Sequence, residues 1–267
     1  MTAQFQVQKD GQIAWLINNR PDSLNAMRNE TWGELNSAID EIDRDLDIRV
    51  VIITGEGSSF CAGADVKSMD EDIDIFTNRK QALNEIRLGQ TVLQDSTRKI
   101  RSSRVPYIAA IHGFAVGAGF ELCMACDLVV AERLTQMGFP EVNVGVVITN
   151  GGTFFAPRIL GLAKAREMAY TGEFIDAEEA YRLGFICRLA EKGKVRDEAE
   201  KLALRIASRA PGAVTLHKKM LDAALQSSLE SALLYETETT FTTVFSKDHA
   251  EGANAFVEKR EPKFTGF

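Results

Sequence analysis

The sequence predicts an α/β fold in which a mainly parallel sheet is followed by a helical carboxyl-terminal region. Short β-branched runs alternate with helical patterns through the first two-thirds of the chain, as is typical of parallel strands joined by crossover helices. From Val195 onward, apolar residues recur with helical spacing. The chain has 267 residues, of which 45% are apolar and 26% charged, a composition that is ordinary for globular domains.

The amino-terminal part supplies the first elements in order. Apolar and polar residues alternate between Phe5 and Ile17 on either side of Asp10-Gly11, which predicts a β-hairpin with its turn at that pair. Asn29 is a predicted N-cap for a helix with apolar residues at three- and four-residue spacing. The β-branched run at 50–53 predicts a strand buried on both faces.

The next segments continue the alternation. Residues 78–101 have a helical pattern, and strand patterns return at 107–111 and 128–131 with a short apolar helix between them. Farther on, Pro211-Gly212 interrupts the helical pattern, and Ser227 is a predicted N-cap.

The change in pattern divides the chain into two regions. We expect residues 1–195 to form the α/β core that carries the site. Residues 196–267 are expected to form helices that pack on this core or on another subunit, since ~70 residues alone bury little apolar surface.

Charge and hydropathy argue against several classes of protein. The 38 acidic residues outweigh the 31 basic ones, for a formal net charge of −7, which disfavours binding of nucleic acid through phosphate neutralisation. The amino terminus lacks the basic start and apolar core of a secretory signal, and no apolar run approaches the ~20 residues that span a bilayer. We expect a cytoplasmic protein with neither a nucleic-acid nor a membrane partner.

The cysteines Cys61, Cys123, Cys126 and Cys187 are too few for a disulfide scaffold in a chain of this length. Cys123 and Cys126 form a single C-x-x-C pair, but no second pair and no suitably spaced histidine completes a zinc site. We interpret all four as reduced thiols and predict neither a metal nor another cofactor.

Two clusters of small residues each follow a predicted strand and precede a helix. They lie at 60–65 and 112–121, where small side chains let a ligand approach the backbone closely. One N–H from each turn, directed at a single carbonyl oxygen, would form an oxyanion hole; the alternative is a pair of tight structural turns. A dinucleotide-binding turn is a weaker interpretation, because the fingerprint starting at Gly117 has Leu122 where glycine or alanine is required.

Two glutamates lie in apolar surroundings. Glu121 follows Phe120 in an otherwise apolar helical segment, and Glu141 lies between Pro140 and Val142. An unpaired buried carboxylate is costly, so each glutamate is either paired structurally or used for chemistry. Burial also raises the pKa of a carboxyl group toward values suited to proton transfer. A helix cap and a structural ion pair are the alternative roles, because sequence spacing does not establish that the two carboxyl groups meet.

Several ordered motifs resemble those of the crotonase (enoyl-CoA hydratase/isomerase) superfamily over nearly the whole chain. They comprise Arg20-Pro21 with Leu24-Asn25-Ala26-Met27, residues 60–65 as F-x-A-G-A-D, residues 113–121 as G-x-x-x-G-x-G-x-E, Phe139-Pro140-Glu141, Gly145, Gly151-Gly152-Thr153, Thr171-Gly172 and residues 180–184. The resemblance implies a spiral of ββα units followed by a helical trimerisation region, assembled as a homotrimer or a dimer of trimers. It also implies an acyl-CoA substrate.

The resemblance further implies the residues of the site. The N–H groups of Ala64 and Ala118 would hold the thioester oxygen, and Glu121 and Glu141 would be the catalytic pair. Contacts with the acyl-CoA are implied for Ser23, Leu24, Ala26, Ala62, Asp65, Val66, Gly117, Thr149, Lys259 and Lys263. The two lysines would offer positive charge to the CoA phosphates, in the same subunit or a neighbouring one.

The resemblance associates the presence of both Glu121 and Glu141 with the hydratases of the superfamily. Glu121 would deprotonate water and Glu141 would deliver a proton to C2. Where many hydratases read G-x-x-P-G-x-G-G-T, Ile148 and Thr149 replace proline and glycine, which predicts a bulkier, partly polar pocket wall and a short or unusual acyl group.

Crotonyl-CoA and methylthioacryloyl-CoA are the candidate substrates, the latter with subsequent hydrolysis of the thioester. An enoyl-CoA isomerase, an acyl-CoA hydrolase and a non-catalytic acyl-CoA-binding protein are the alternatives.

Overall fold

Two β-sheets and the helices packed on them organise the chain in a computed structural model, which describes residues 3–65 and 78–266. The strands are β1 (Phe5–Asp10), β2 (Ile13–Asn18), β3 (Val50–Gly55), β4 (Tyr107–Ile111), β5 (Phe114–Val116), β6 (Leu128–Glu132), β7 (Gln136–Gly138), β8 (Phe174–Asp176) and β9 (Arg188–Ala190). The helices of the described residues are α1 (Asn29–Arg44), α2 (Arg79–Ser102), α3 (Ala118–Ala125), α4 (Gly152–Ile159), α5 (Leu162–Thr171), α6 (Ala177–Arg182), α7 (Val195–Ala207), α8 (Pro211–Ala224), α9 (Leu229–Val244) and α10 (Lys247–Glu258). Short 3₁₀ turns lie at Pro21–Ser23 and Pro140–Val144.

The larger sheet has the strand order β1-β2-β3-β4-β6-β9. β1 and β2 pair antiparallel as the predicted hairpin, and the later pairings are parallel. Parallel neighbours need long crossover connections, and these contain the helices that cover the sheet. The prediction of a mainly parallel sheet is therefore confirmed.

β3 lies inside this sheet and is buried on both faces, as its β-branched run predicted. Val51 and Ile53 belong to one apolar core, whereas Val50 and Ile52 belong to a second core together with Ala199 of α7. Successive side chains of a strand point to opposite faces, so this one strand anchors both cores.

The smaller sheet joins β5, β7 and β8. β5 pairs parallel with β7, and β7 pairs antiparallel with β8. Isolated bridges link Cys61 to Ala115 of β5 and Ala64 to Met27. The smaller sheet and the loop before α1 thereby fix the position of the small-residue turn at 60–65.

A buried lysine ties the carboxyl-terminal helices to the core. Lys218 on α8 donates from Nζ to the carbonyl oxygens of Ile100 (2.7 Å) and Val105 (2.9 Å) and to the carboxylate of Asp127 (2.9 Å). α7 packs into the second core, so the predicted helical region contributes one helix to the α/β unit. The domain boundary at residue 195 stays a prediction. Within the described ranges, no helix combines the length and apolar character needed to cross a membrane.

Two predicted N-caps are displaced by one residue. α1 begins at Asn29, and the N-cap is Arg28, whose backbone N–H donates to Thr31 Oγ1 (3.3 Å). The N-cap of α9 is Ser228 instead of Ser227, because the Ser228 side chain accepts the N–H of Ser231 (3.2 Å).

Candidate active site

The two small-residue turns lie against each other. Gly63 has a φ of +89°, and a Cβ there would lie 2.9 Å from the Val116 carbonyl oxygen and 3.6 Å from the Ala118 nitrogen. Gly117 has a φ of +55° and donates its N–H to the Gly138 carbonyl (2.9 Å). Both positions favour glycine, since another residue would be strained and, at Gly63, would overlap the second turn.

The two predicted oxyanion donors belong to these adjoining turns. Ala118 is the first residue of α3, so its N–H has no acceptor within the helix. Ala64 pairs with Met27 at the isolated bridge. Neither the Ala64 nor the Ala118 N–H donates a hydrogen bond to another described residue. Two free donors on adjoining turns fit the oxyanion-hole hypothesis, and their catalytic role stays a prediction.

Glu121 lies in the first turn of α3 and is 1% exposed. Its Oε1 accepts backbone hydrogen bonds from the N–H groups of Asn150 (2.5 Å) and Gly152 (3.0 Å). Burial raises the pKa of Glu121 to about 7, against the lowering effect of these two donors. The carboxyl group therefore titrates near neutral pH, where a general acid or base is most efficient.

Glu141 lies on the 3₁₀ turn Pro140–Val144 and is partly buried. Its Oε1 faces Gly117, where a Cβ would lie 3.3 Å away. Its Oε2 is buried without a hydrogen-bond partner in the described part of the chain. Burial raises the pKa of Glu141 above its ordinary value.

The structure brings the predicted glutamate pair together. After burial and the hydrogen bonds from Gly152 and Asn150, the charge of Glu141 is a further, smaller cause of the raised pKa of Glu121, so Glu121 lies within electrostatic range of Glu141, whose own raised pKa has burial as its cause. Among the described residues, no cation contributes to either shift. Glu121 does accept the N–H of Gly152 at the start of α4, as a helix cap would, whereas the structural ion pair of the alternative has no counterpart among the described residues.

The donors to Glu121 were not predicted as site residues. Asn150 belongs to a segment without regular structure before α4, and Gly152 is the first residue of α4. α2 holds this segment from outside. Gln94 Nε2 donates to the carbonyl oxygen of Thr149 (2.9 Å), and the hydroxyl of Thr97 donates to Asn150 Oδ1 (2.8 Å). The adjacent glycines at the start of α4 signal a close backbone approach, but their spacing does not link them to Glu121.

The predicted CoA-binding residues on the loop between β2 and α1 meet the first small-residue turn. The N–H of Ala62 donates to the Leu24 carbonyl (2.9 Å), and Leu24 is 40% exposed. Ser23 and Ala26 are partly exposed on the same loop. Asn25 is fully buried, and its Nδ2 donates to two carbonyl oxygens before the turn, both at 2.7 Å. Asn25, which stood out in the sequence only as part of a motif, is thus a structural support of this loop.

Four other predicted CoA contacts are Asp65, Val66, Lys259 and Lys263. Asp65 forms an ion pair with Arg20 (2.7 Å), and Val66 lies outside the described residues. Lys259 and Lys263 are exposed near the carboxyl terminus. In the ranges that the structure describes, no hydrogen bond or ion pair joins either lysine to the two turns. Their contacts with CoA stay predictions.

One part of the predicted pocket wall faces elsewhere. Ile148 packs against the apolar core, where its Cγ2 lies 2.7 Å from the Cβ position that Gly152 lacks, beside the ring of Phe139. Thr149 is partly exposed. Ile148 therefore tightens the packing around Gly152, and Thr149 is the member of the pair that stays a candidate for the pocket wall.

Comparison with known proteins agrees with this site. The model of the enoyl-CoA hydratase/isomerase family matches residues 8–266. A short-chain-enoyl-CoA hydratase of Clostridium acetobutylicum is 35% identical over 98% of this chain and 96% of its own length. A crotonyl-CoA hydratase of Syntrophomonas wolfei is 34% identical over 97% of this chain and 96% of its own length. A crystal structure of enoyl-CoA hydratase from Bacillus anthracis has a TM-score of 0.92 at 30% identity and covers 99% of this chain and 100% of that chain.

The fold and the two adjoining turns define a member of the crotonase superfamily. More narrowly, the chain belongs to the enoyl-CoA hydratase/isomerase family. The family resemblance read from the motifs is confirmed, as is the expected crotonase fold with its helical carboxyl-terminal region.

Proposed function

We propose that the protein is an enoyl-CoA hydratase that adds water across the C2=C3 double bond of a short α,β-unsaturated acyl-CoA. The observation that carries this proposal is the interacting pair Glu121 and Glu141, both with raised pKa values and without a cationic partner among the described residues. Relatives that match almost the whole chain are named short-chain-enoyl-CoA hydratase and crotonyl-CoA hydratase, which supports a short acyl group.

In the proposed reaction, ionised Glu121 takes a proton from water while the water oxygen bonds to C3. The electrons of the double bond move toward the thioester, and Glu141 gives its proton to C2. The product is a 3-hydroxyacyl-CoA, and the proton held by Glu121 returns to Glu141 through solvent.

The hydrogen bonds at the two carboxyl groups support these separate roles, although burial raises the pKa of both groups and brings that of Glu121 to about 7. The two N–H donors to Glu121 Oε1 favour its ionised form. The buried Oε2 of Glu141 has no such donor among the described residues. A bound substrate would cover the exposed part of Glu141 and raise its pKa further, so that Glu141 holds a proton until C2 accepts it.

The N–H groups of Ala64 and Ala118 complete the proposed mechanism. They would donate to the thioester oxygen as negative charge develops on it, and the loss of one such donor costs about 3–4 kcal/mol of transition-state stabilisation in a comparable site. The proposed reaction uses neither a metal ion nor a separate cofactor, since CoA arrives as part of the substrate.

Methylthioacryloyl-CoA is a second candidate substrate, with thioester hydrolysis after hydration. The observation that favours an unusual acyl group is Thr149, whose partly exposed side chain stands where the hydratase motif has glycine. Hydrolysis would break the bond between the acyl carbon and sulfur and release free CoA thiol.

The test uses purified protein with crotonyl-CoA, with methylthioacryloyl-CoA and, to detect an isomerase, with a 3-enoyl-CoA. Hydration is followed as loss of the absorbance of the conjugated double bond, and hydrolysis as release of free thiol. Loss of absorbance with crotonyl-CoA is the expected result. Conversion of a 3-enoyl-CoA into its conjugated isomer without hydration would favour an isomerase, and binding of acyl-CoA without any conversion would favour a binding protein; either result would overturn the proposal.

We also propose that the protein assembles as a homotrimer or a dimer of trimers through its carboxyl-terminal helices. These helices carry many exposed apolar side chains, and a large exposed apolar surface is typical of an interface. The side chains are Leu221, Leu225, Leu229, Leu233, Leu234, Phe241, Phe245, Phe256 and Val257. Light scattering coupled to size-exclusion chromatography should give three or six times the mass of the chain, and a monomeric mass would contradict the proposal.

A further inference from the structure

The position of Glu121 depends on a segment that has no regular structure of its own. Residues 149–151 lie between the 3₁₀ turn Pro140–Val144 and α4, and no proline restricts their backbone. This segment and the first residue of α4 supply the N–H groups that bind Glu121 Oε1. Contacts from outside the segment must therefore fix its conformation.

Two side chains of α2 make these contacts. Gln94 Nε2 donates to the Thr149 carbonyl (2.9 Å), and the Thr97 hydroxyl lies 2.8 Å from Asn150 Oδ1 and 3.2 Å from the Asn150 carbonyl oxygen. Gln94 and Thr97 share one face of the helix, because residues three apart are neighbours on a helix surface. The methyl group of Thr97 also lies 3.6 Å from the Cβ position that Gly151 lacks. Helix α2 thus contacts three successive residues, Thr149, Asn150 and Gly151.

Packing alone does not explain why the buried residue at position 150 is an asparagine. The residue is 0% exposed, and its Nδ2 has no hydrogen-bond partner among the described residues. A buried donor without an acceptor destabilises the fold, so a small apolar residue would be the better choice for the core. What the amide provides is the hydrogen bond to Thr97, on the same residue whose N–H reaches Glu121.

We infer that Thr97, acting through Asn150, is a positioning residue for the Glu121 carboxyl group, and that Gln94 supports the same segment. Thr97 holds the peptide that donates to Glu121 Oε1 and does not itself contact that carboxyl group. The inference rests on the proposed function to the extent that Glu121 is the residue that would activate water.

The charges around Glu121 make this role measurable. Among the described residues, Glu141 is the ionisable group whose charge contributes to the shifted pKa of Glu121, while the N–H groups of Gly152 and Asn150 favour the ionised form. On α2, Arg101 reaches the opposite end of α3, at the Ala125 carbonyl (3.4 Å). A looser segment would weaken the N–H donors without changing any charge, and would therefore raise the pKa of Glu121.

The first variant is Thr97→Val, which removes the hydroxyl group at nearly constant volume. We expect the titration midpoint of Glu121 to rise by about 0.5–1 pH unit and turnover near pH 7 to fall about three- to tenfold, with KM little changed. Thr97→Ser keeps the hydroxyl and should restore both values. Thr91→Val is the matched control, because the Thr91 hydroxyl donates within α2 to the Arg87 carbonyl (3.0 Å) and is exposed.

The decisive readout is a carbon-13 NMR titration of the glutamate carboxyl groups, with the Glu121 signal assigned by its absence in Glu121→Gln. This measurement does not require turnover, so a wild-type protein that fails to hydrate any substrate would refute the proposed function and still leave the inference open to its own test. An unchanged Glu121 midpoint in a folded Thr97→Val protein would overturn the inference.

Asn150→Ala provides a second variant in case Thr97→Val does not fold. It keeps the backbone N–H that binds Glu121 but removes the Oδ1 that Thr97 contacts. We expect a shift of the Glu121 midpoint in the same direction, and the double variant should shift it by less than the sum, because the two residues act as one unit. A wild-type midpoint in Asn150→Ala would count against the inference.

Discussion

Glu121 and Glu141 carry the same carboxyl group but lie in opposite kinds of structure. Glu121 is on a buried helix, is 1% exposed and accepts two backbone hydrogen bonds at one oxygen. Glu141 is on a short 3₁₀ turn whose next three side chains are exposed, and its buried Oε2 has no donor among the described residues. One carboxyl group is thus fixed by several elements of the core, and the other lies on a turn at the edge of the site.

The proposed roles of base and acid depend on this difference in surroundings. Hydrogen-bond donors favour the ionised form, burial favours the protonated form, and the balance differs between the two positions. At Glu121 burial outweighs the donors and raises the pKa to about 7. Burial also raises the pKa of Glu141, in surroundings that offer its Oε2 no donor.

The largest expected effect comes from removing each acid–base group in turn. Glu121→Gln and Glu141→Gln should each lower turnover by about 10²–10⁴-fold, the range typical of a general acid or base. The two variants are separated by a partial reaction, the exchange of C2 protons of a saturated acyl-CoA with deuterated water. If Glu141 serves C2, this exchange persists in Glu121→Gln and disappears in Glu141→Gln.

Both variants need a binding control, because a lost carboxyl group also changes the pocket. Affinity for the saturated acyl-CoA, measured by calorimetry, should stay within a few-fold of the wild type. Loss of exchange in Glu121→Gln with retention in Glu141→Gln would reverse the two roles. Near-normal turnover in either variant would remove that residue from the mechanism.

The next effect is on stability as a function of pH. Glu121 has a folded pKa of about 7 against an ordinary value of 4.5. Its protonated form therefore stabilises the folded wild type fully below pH 4.5, and the free energy of unfolding decreases by up to about 3 kcal/mol as the pH rises through 7. Glu121→Gln lacks this loss. Relative to the wild type, the free energy of unfolding of Glu121→Gln should therefore increase between about pH 5 and about pH 8, as measured by urea unfolding.

Glu141→Gln gives the comparison for that measurement. Its shift has the same direction, because burial raises its folded pKa too, but the partly exposed group should give a smaller gain at high pH. Equal pH dependence in the two variants would contradict the difference in burial that separates the two carboxyl groups.

Much of this arrangement could be predicted from the sequence. The β-branched run at 50–53 identified a strand buried on both faces, because that property depends on local composition. Glu121 and Glu141 stood out because carboxyl groups are costly in apolar surroundings. Their meeting could not be predicted from spacing, since it depends on how β5 and β7 pair, and the family resemblance supplied it.

Other features left too little signal in the sequence. β5, β7 and β8 have three residues each, which is too short for an alternating pattern. The donors from Asn150 and Gly152 are backbone groups, so residue type does not reveal them. Ser227 and Ser228 have the same capping chemistry, and the choice between them depends on which side chain reaches the first turn of α9.

The smallest expected effect compares one glycine beside each carboxyl group. At Gly152, which donates to Glu121, a Cβ would lie 2.7 Å from Ile148 Cγ2 and 2.9 Å from the Phe139 ring, so Gly152→Ala should cost about 1–3 kcal/mol through overpacking. Gly145 ends the turn of Glu141 with a φ of +73° and has no atom within 4 Å of its Cβ position. Gly145→Ala should therefore cost about 1 kcal/mol of backbone strain alone.

Turnover should fall for Gly152→Ala, whose shifted backbone moves a donor away from Glu121, and stay near the wild-type value for Gly145→Ala. If Gly145→Ala lowers turnover as much as Gly152→Ala, turnover depends as strongly on the backbone of the Glu141 turn as on the backbone that binds Glu121. That result would contradict the difference between the two positions.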